Sequence, residues 1–256
     1  MEVVQEAASY YTRISFNYCV GIGSMMARSL DANGAAKVYI IGRRQEKLDE
    51  VAASAVNKSI IPLQGDVSSK DSLGACAAKI AAETPFVNVV IANSGSTGPT
   101  LNGLPKDRTP SITEVYEYLW KPSMEEFNDA FTINSSAMFY TLVAFLPLLD
   151  AGNKNSASPT ISAGIKSQFI ATASINGFSR KPGMGFAYTG SKAAAIHMIK
   201  TLATWMVPYD IRCNVVNPGI YPSDMSAVSI FAFHVLSIRW KDLFFRPVFS
   251  TGLKFH

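Results

Sequence analysis

Residues 38–67 read VYIIGRRQEKLDEVAASAVNKSIIPLQGDV, and this stretch decides the fold. Val38–Ile41 and Ile60–Leu63 are short, near-continuous apolar runs rich in β-branched residues, the pattern of strands buried on both faces. Between them Glu46–Ala55 reads as a helix, so the stretch is a strand–helix–strand unit. The pattern extends in both directions. Val87–Ala92, Gln168–Ala171 and Ile211–Val216 are further strand candidates. Ser24–Ala32, Ser72–Ala82, Met124–Leu149 and Tyr188–Val207 are further helices. The alternation predicts an α/β fold with a doubly wound parallel sheet. Thr97–Pro122 and Ala151–Lys166, rich in Gly, Pro, Ser and Asn, read as long loops. No internal repeat is visible.

At 256 residues, 48% hydrophobic and 16% charged, the chain is long enough for one large domain with a substantial core. A formal charge of +4 with scattered Lys and Arg argues against a nucleic-acid surface. Cys19, Cys76 and Cys213 form no C-x-x-C and read as reduced thiols. The opening MEVVQEAAS lacks the basic and apolar regions of a signal peptide, and no uncharged apolar run is expected to span a membrane. A cytoplasmic protein is the expectation. The three histidines are scattered, and no Cys/His/Asp group has metal-ligand spacing. Glu125-Glu126 suits the opening turn of a helix better than a catalytic carboxylate pair.

Chemistry-bearing residues fall at the strand ends. Gly21-Ile22-Gly23 precedes a helix, where glycines let the backbone approach a pyrophosphate at the helix's positive end. About twenty residues on, a strand ends in Gly42-Arg43-Arg44. Guanidinium groups there suit the 2′-phosphate of NADP, whereas an acidic residue would suit the 2′-hydroxyl of NAD. Asp66-Val67 and Asn93-Ser94-Gly95 follow the next two strands. Tyr188 and Lys192, four apart in the helix that continues AAAIHMIKTLA, share one helical face. A free phenol, with a pKa near 10, is only about 0.1% ionised at pH 7. A fixed ammonium beside it is expected to favour the anion and make the phenol a better proton donor.

Taken together, Gly21-Ile22-Gly23, Asp66-Val67, Asn93-Ser94-Gly95, Asn134, Ser174-x-x-Gly177, Tyr188-x-x-x-Lys192 and Pro218-Gly219 followed by Ser223 resemble the short-chain dehydrogenase/reductase family. Within it the chain looks most like NADP-dependent 3-oxoacyl-carrier-protein-reductase-like members. The resemblance, from Gly21 to Ser226, implies a single Rossmann-type domain over residues 1–226, followed by an aromatic-rich tail at 227–256. It implies hydride transfer between NADP(H) and a carbonyl or secondary alcohol. Tyr188 would be the general acid/base and Lys192 would lower its pKa and hold the nicotinamide ribose. Ser174 would bind the carbonyl oxygen, and Asn134 would hold a water linking Lys192 to solvent. Gly21, Ile22, Gly23, Arg43, Arg44, Asp66, Val67, Asn93, Gly95, Pro218, Gly219 and Ser223 would contact the cofactor. Homodimers would pack through the Met124 and Tyr188 helices.

The chain departs from the family at both ends. Aligned on Gly21 and Gly23, the family's Thr-Gly pair falls on Phe16 and Asn17, and Tyr10–Ser15 would be an atypical first, central strand carrying Arg13. After Ser226, the family's covering helices and last strand are replaced by a stretch bearing Phe231, Phe233, Trp240, Phe244, Phe245 and Phe249. These ends suggest a shortened or mis-spliced oxidoreductase. They also support a second reading, a catalytically impaired protein of the same fold acting as a binding module.

Overall fold

The computed structural model describes residues 21–154, 166–180 and 184–219, together with the backbone of 13–17. Six strands form one parallel sheet: β1 (Arg13–Asn17), β2 (Lys37–Gly42), β3 (Ile60–Gln64), β4 (Val89–Ala92), β5 (Gln168–Thr172) and β6 (Arg212–Val216). Their spatial order is β3-β2-β1-β4-β5-β6, the doubly wound arrangement expected from the alternation of elements. The central strand lies a few residues later than Tyr10–Ser15. It is set by its pairing of Ile14–Phe16 with Val89–Ile91 on one side and of Arg13–Asn17 with Lys37–Ile41 on the other.

Helices cover both faces. On one, α1 (Ile22–Ala32) and α2 (Gln45–Ala53) pack Ala27, Leu48 and Val51 against Val38, Ile40, Ile60 and Ile91. On the other, α3 (Lys70–Glu83) and two longer helices pack Ile80, Leu142, Phe145, Leu149, Ile199 and Leu202 against Tyr39, Ile41, Val90 and Phe169. Val38 and Ile40 thus point one way and Tyr39 and Ile41 the other, which is why this strand is apolar throughout. Each of these large buried side chains contributes about 1.5–3 kcal/mol of burial.

The segment expected as one helix from Met124 is three pieces: α5 (Met124–Phe131), a π turn at Thr132–Ser136, and α6 (Ala137–Lys154). Taken as one helix of 31 residues it is long and apolar enough to cross a membrane by length and composition alone, a test that core helices also pass. Half of its most apolar window is buried in the fold, so the hydrophobicity serves the core. The Thr97–Pro122 loop also needs correction, because Ile112–Trp120 is helix α4. Ser111 and Glu114 form a capping box at its start, while no residue of the helix is buried. Ile112, Val115, Tyr116, Leu119 and Trp120 recur at helical spacing, and with the S-x-x-E signature they were the available signals. Residues 155–165, most of the second expected loop, lie outside the described residues, as do Ser223 and the tail.

One buried charge ties the first half together. Asp31, fully buried at the end of α1, accepts hydrogen bonds from the amides of Val56 (2.6 Å), Asn57 (3.0 Å) and Ser59 (3.0 Å) and from the Ser59 hydroxyl (2.8 Å). Burial opposes its charge, but these donors together outweigh that and hold its carboxyl below the usual range. Asp31→Ala removes the acceptor of three amides, that of Ser59 buried, and of the Ser59 hydroxyl, and is expected to cost about 3 kcal/mol in denaturant unfolding at pH 7. Because the folded pKa is depressed, the carboxylate's contribution is present above about pH 4. The wild-type advantage over Asp31→Asn should therefore shrink as pH falls through the folded value.

Candidate active site

Strands β1, β2 and β3 step one way across the sheet and β4, β5 and β6 the other, so the order reverses between β1 and β4. Open α/β sheets bind ligands at such a reversal, beyond the carboxyl ends of the strands. A pocket there is lined by Gly42, Arg43, Gly65, Asp66, Val67, Ser94, Gly95 and Ile133. It adjoins a smaller one that shares Val67, Ser94 and Ile133 and reaches Ala92, Asn134 and Thr172. Together they form a cleft from the end of β2 to the end of β5. Following β1, α1 starts at Gly21 with φ 67° and ψ −129°, a conformation open essentially to glycine. Ile22 opens the helix and Gly23 is buried within its first turn. The Ser24 hydroxyl donates to the Gly21 carbonyl at 2.8 Å.

The predicted nucleotide-side residues fall into two groups. Arg43, Asp66, Val67 and Gly95 line the cleft, and Asn93 lies just beyond β4. Arg44 stands at the N-cap of α2. The Asp66 carboxylate accepts from the Ser68 hydroxyl (2.6 Å) and amide (2.9 Å). Those bonds, with the charge of Arg43, hold its pKa below the usual range against desolvation. At the other end of the sheet, the Pro218 carbonyl accepts from the Ile175 amide at 3.1 Å, with Gly219 beside Ile175. Ser223 lies outside the described residues.

The proton-handling side chains meet where β5 ends. After Thr172 the chain leaves the sheet through Ser174, whose hydroxyl accepts from the Asn176 amide (3.2 Å) and caps a 3-10 turn at Ile175–Gly177. Helix α7 (Phe186–Trp205) starts at Gly185, φ 108°, where the backbone passes close to Pro99. Its first two turns carry Tyr188, Ser191 and Lys192, all buried. The Tyr188 phenol is hydrogen-bonded to Ser174. The Lys192 ammonium donates to the Thr172 carbonyl at 2.8 Å and lies 5.7 Å from the centre of the Tyr188 ring.

The electrostatics differ from the expectation. Burial raises the Tyr188 pKa above its usual value, and the Ser174 hydrogen bond only partly offsets this. Burial lowers Lys192 to about 8. In this arrangement the ammonium is directed at a backbone carbonyl, and desolvation governs the phenol, which holds its proton at neutral pH.

Asn134 joins two segments. Its Nδ2 donates to the Ser96 carbonyl (2.8 Å) and the Ser191 hydroxyl (2.9 Å), and its Oδ1 accepts from the Ser96 amide (2.9 Å). Both amide protons are committed within the protein, so the side chain is a clamp between the loop after β4 and α7. Sequence reading missed Ser96, Thr172 and Ser191. Only Ser191, a hydroxyl three residues after Tyr188 in Tyr-Thr-Gly-Ser-Lys, carried a local signal.

The short chain dehydrogenase family model matches residues 18–230. A short-chain dehydrogenase/reductase of Diaporthe leptostromiformis, PhomF, is 44% identical over 220 residues, spanning 85% of this chain and 72% of that relative. Among solved structures, an RhlG complex with NADP from Pseudomonas aeruginosa superposes with a TM-score of 0.64 at 22% identity, covering 85% of this chain and 77% of that one. A 3-ketoacyl-(acyl-carrier-protein) reductase from Brucella melitensis, complexed with NADH, gives 0.67 at 19%, covering 84% and 78%. These two likenesses concern the fold. The family match and the fungal relative establish that the chain belongs to the short-chain dehydrogenase/reductase family of oxidoreductases.

Lys192 illustrates the cost of such a site. With its folded pKa lowered to about 8, the unfolded chain binds more protons between there and the unfolded lysine value near 10.4, so stability rises with pH across that window. Lys192→Met removes the buried charge and is expected to stabilise the fold at pH 7 by about 1–2 kcal/mol. In denaturant titrations that gain should fade as pH approaches 10.

Proposed function

We propose that the protein is an NADP(H)-dependent oxidoreductase acting on a carbonyl compound or the corresponding secondary alcohol. The observation that carries this reading is the convergence of buried Ser174, Tyr188 and Lys192 beside a cleft at the sheet's reversal point. The residues of the cleft suit a dinucleotide. The Gly21 turn brings a helix N-terminus to the strand ends, and Thr172 Oγ1 in the cleft wall is buried without a hydrogen-bond partner among the described residues. Arg43, with no acidic residue at the end of β2, favours a 2′-phosphate. When bound, a nicotinamide dinucleotide supplies or accepts the hydride. The remaining roles belong to this chain. Gly21, Ile22 and Gly23 would receive the pyrophosphate, Arg43 and Arg44 the 2′-phosphate, and Asp66, Val67, Asn93 and Gly95 the adenosine half. Lys192, Pro218, Gly219 and Ser223 would hold the nicotinamide half. Ser174 orients the substrate oxygen through its hydroxyl. Tyr188, protonated at neutral pH, delivers a proton to that oxygen in reduction and takes it back in oxidation. Lys192 steadies the phenolate left behind.

A homodimer through α5–α6 and α7 accompanies this reading, supported by exposed Met124, Tyr140, Val143 and Phe186 on those helices. The buried free thiols of Cys76 and Cys213 accord with a cytoplasmic setting. Phe16–Asn17 in place of Thr-Gly favours the competing reading, a catalytically silent binding module.

A thermal-shift titration separates the two. NADPH at one hundred times its Kd is expected to add about 2.7 kcal/mol of stability, and the absence of any shift at millimolar NADPH selects the silent module. Tyr188→Phe should retain NADPH binding and lose about 10²–10⁴-fold in ketone-dependent NADPH oxidation. Arg43→Ala should weaken NADPH by about tenfold while leaving NADH nearly unchanged, consistent with loss of one charge-assisted contact.

A further inference from the structure

Ser191 stands outside the proton-handling group, yet it is fully buried and hydrogen-bonded to three different residues. Its hydroxyl donates to the main-chain carbonyl of Tyr188 at 2.9 Å and accepts from Asn134 Nδ2 at 2.9 Å. Its own carbonyl accepts from the Ser135 hydroxyl at 2.8 Å. Through Asn134, the same connection reaches both the amide and the carbonyl of Ser96. Three segments distant in sequence therefore join at one hydroxyl: the loop after β4, the π turn and the first turn of α7. A serine in a helix commonly bonds back along its own helix, and the bond to Tyr188 alone would have no wider consequence. The second bond crosses to other elements. It is formed where the helix widens into a π turn, a feature that often marks functional sites.

We propose that Ser191 is a positioning residue: its hydroxyl locks the Tyr188 turn, through Asn134, to the Ser96 loop beside the cleft, so that the cofactor-side wall and the proton donor hold one relative placement. The kinetic part of this inference rests on the proposed oxidoreductase reading; the mechanical part does not. Misplacement by about 1 Å can cost on the order of a hundredfold in rate, so a single buried bond at this junction carries kinetic weight. Ser135 provides an internal contrast. Its bond to the Ser191 carbonyl is equally buried but leaves the Asn134 clamp untouched.

Hydrogen exchange on the full chain without nucleotide reads the lock directly, because the Ser96 amide is one of its bonds. In Ser191→Ala, exchange at the Ser96 amide should rise about tenfold, as expected for loss of roughly one hydrogen bond's worth of protection. Ser135→Ala should leave it within about twofold, although it removes a buried bond of the same kind. Ser191→Cys, of similar volume but a weak acceptor, should behave like the alanine variant and covers the case in which that variant does not fold. Ser191→Thr, which keeps the hydroxyl, should restore protection. With NADPH and a ketone substrate, kcat per bound NADPH should fall about tenfold or more in Ser191→Ala and stay within about twofold in Ser135→Ala. Unchanged Ser96 exchange in folded Ser191→Ala and Ser191→Cys overturns the lock, as does an equal rise in Ser135→Ala. A lock seen by exchange in a protein that never oxidises NADPH upholds the positioning role mechanically and removes the oxidoreductase reading instead.

Discussion

The pairing of β1 with β4, Ile14 with Val89, Ser15 with Val90 and Phe16 with Ile91, joins the two halves of the molecule. Everything else in the site depends on it. Strands on one side bring Arg43 and Asp66 to their carboxyl ends, and strands on the other bring Thr172 and Ser174. Only because the central pair is parallel and adjacent do these ends share one edge, with a cleft between them. A parallel sheet cannot be closed by tight hairpins, so each crossover must be a helix, and the helices must cover both faces. The continuous apolar strands, the two separate core clusters and the position of the site follow from that single requirement.

Two buried charges show how differently the fold treats structure and chemistry. Asp31 is surrounded by donors from a neighbouring loop, and its ionised form is favoured despite complete burial. Among the described residues Lys192 has one carbonyl partner, and it is pushed down to about 8 by desolvation. A satisfied charge anchors a loop, whereas an under-satisfied one stores a cost that a bound ligand or a developing phenolate can relieve. The neutral, burial-raised phenol of Tyr188 lies beside it, hydrogen-bonded to Ser174. The polar junction of Asn134, Ser135 and Ser191 just beneath is saturated with hydrogen bonds, so the rigid and the strained parts of the site are neighbours.

How legible the sequence was can be judged element by element. The runs at Val38–Ile41 and Ile60–Leu63 matched strands β2 and β3 because burial on both faces leaves a plain apolar signature. The helix Ile112–Trp120 was legible in the spacing of Ile112, Val115, Tyr116, Leu119 and Trp120 and in the Ser111–Glu114 capping box, but it lies in a stretch whose Gly and Pro content reads as loop, and none of its residues is buried. Met124–Leu149 looked like one helix because π and α turns share nearly the same side-chain periodicity, and only backbone hydrogen bonding separates them. Gly21, Arg43, Asp66, Asn134, Ser174, Tyr188 and Lys192 could be picked out as an ordered series. Their distances could not, being set by crossovers of many residues. Ser96 and Thr172 left no mark, because a loop amide and a strand-end carbonyl become notable only when something across the fold meets them.

The sequence by itself determined the alternation of strands and helices, hence a doubly wound sheet, and the chemical types waiting at the strand ends. Period and composition are local properties, and burial writes them directly into the chain. Tertiary structure alone decided that the Lys192 ammonium turns to a carbonyl, that burial raises the Tyr188 phenol, and that Asn134 works as a clamp through Ser191. Hydrogen-bond partners and desolvation arise from segments tens of residues apart, and no local pattern encodes how much water a packed interior excludes.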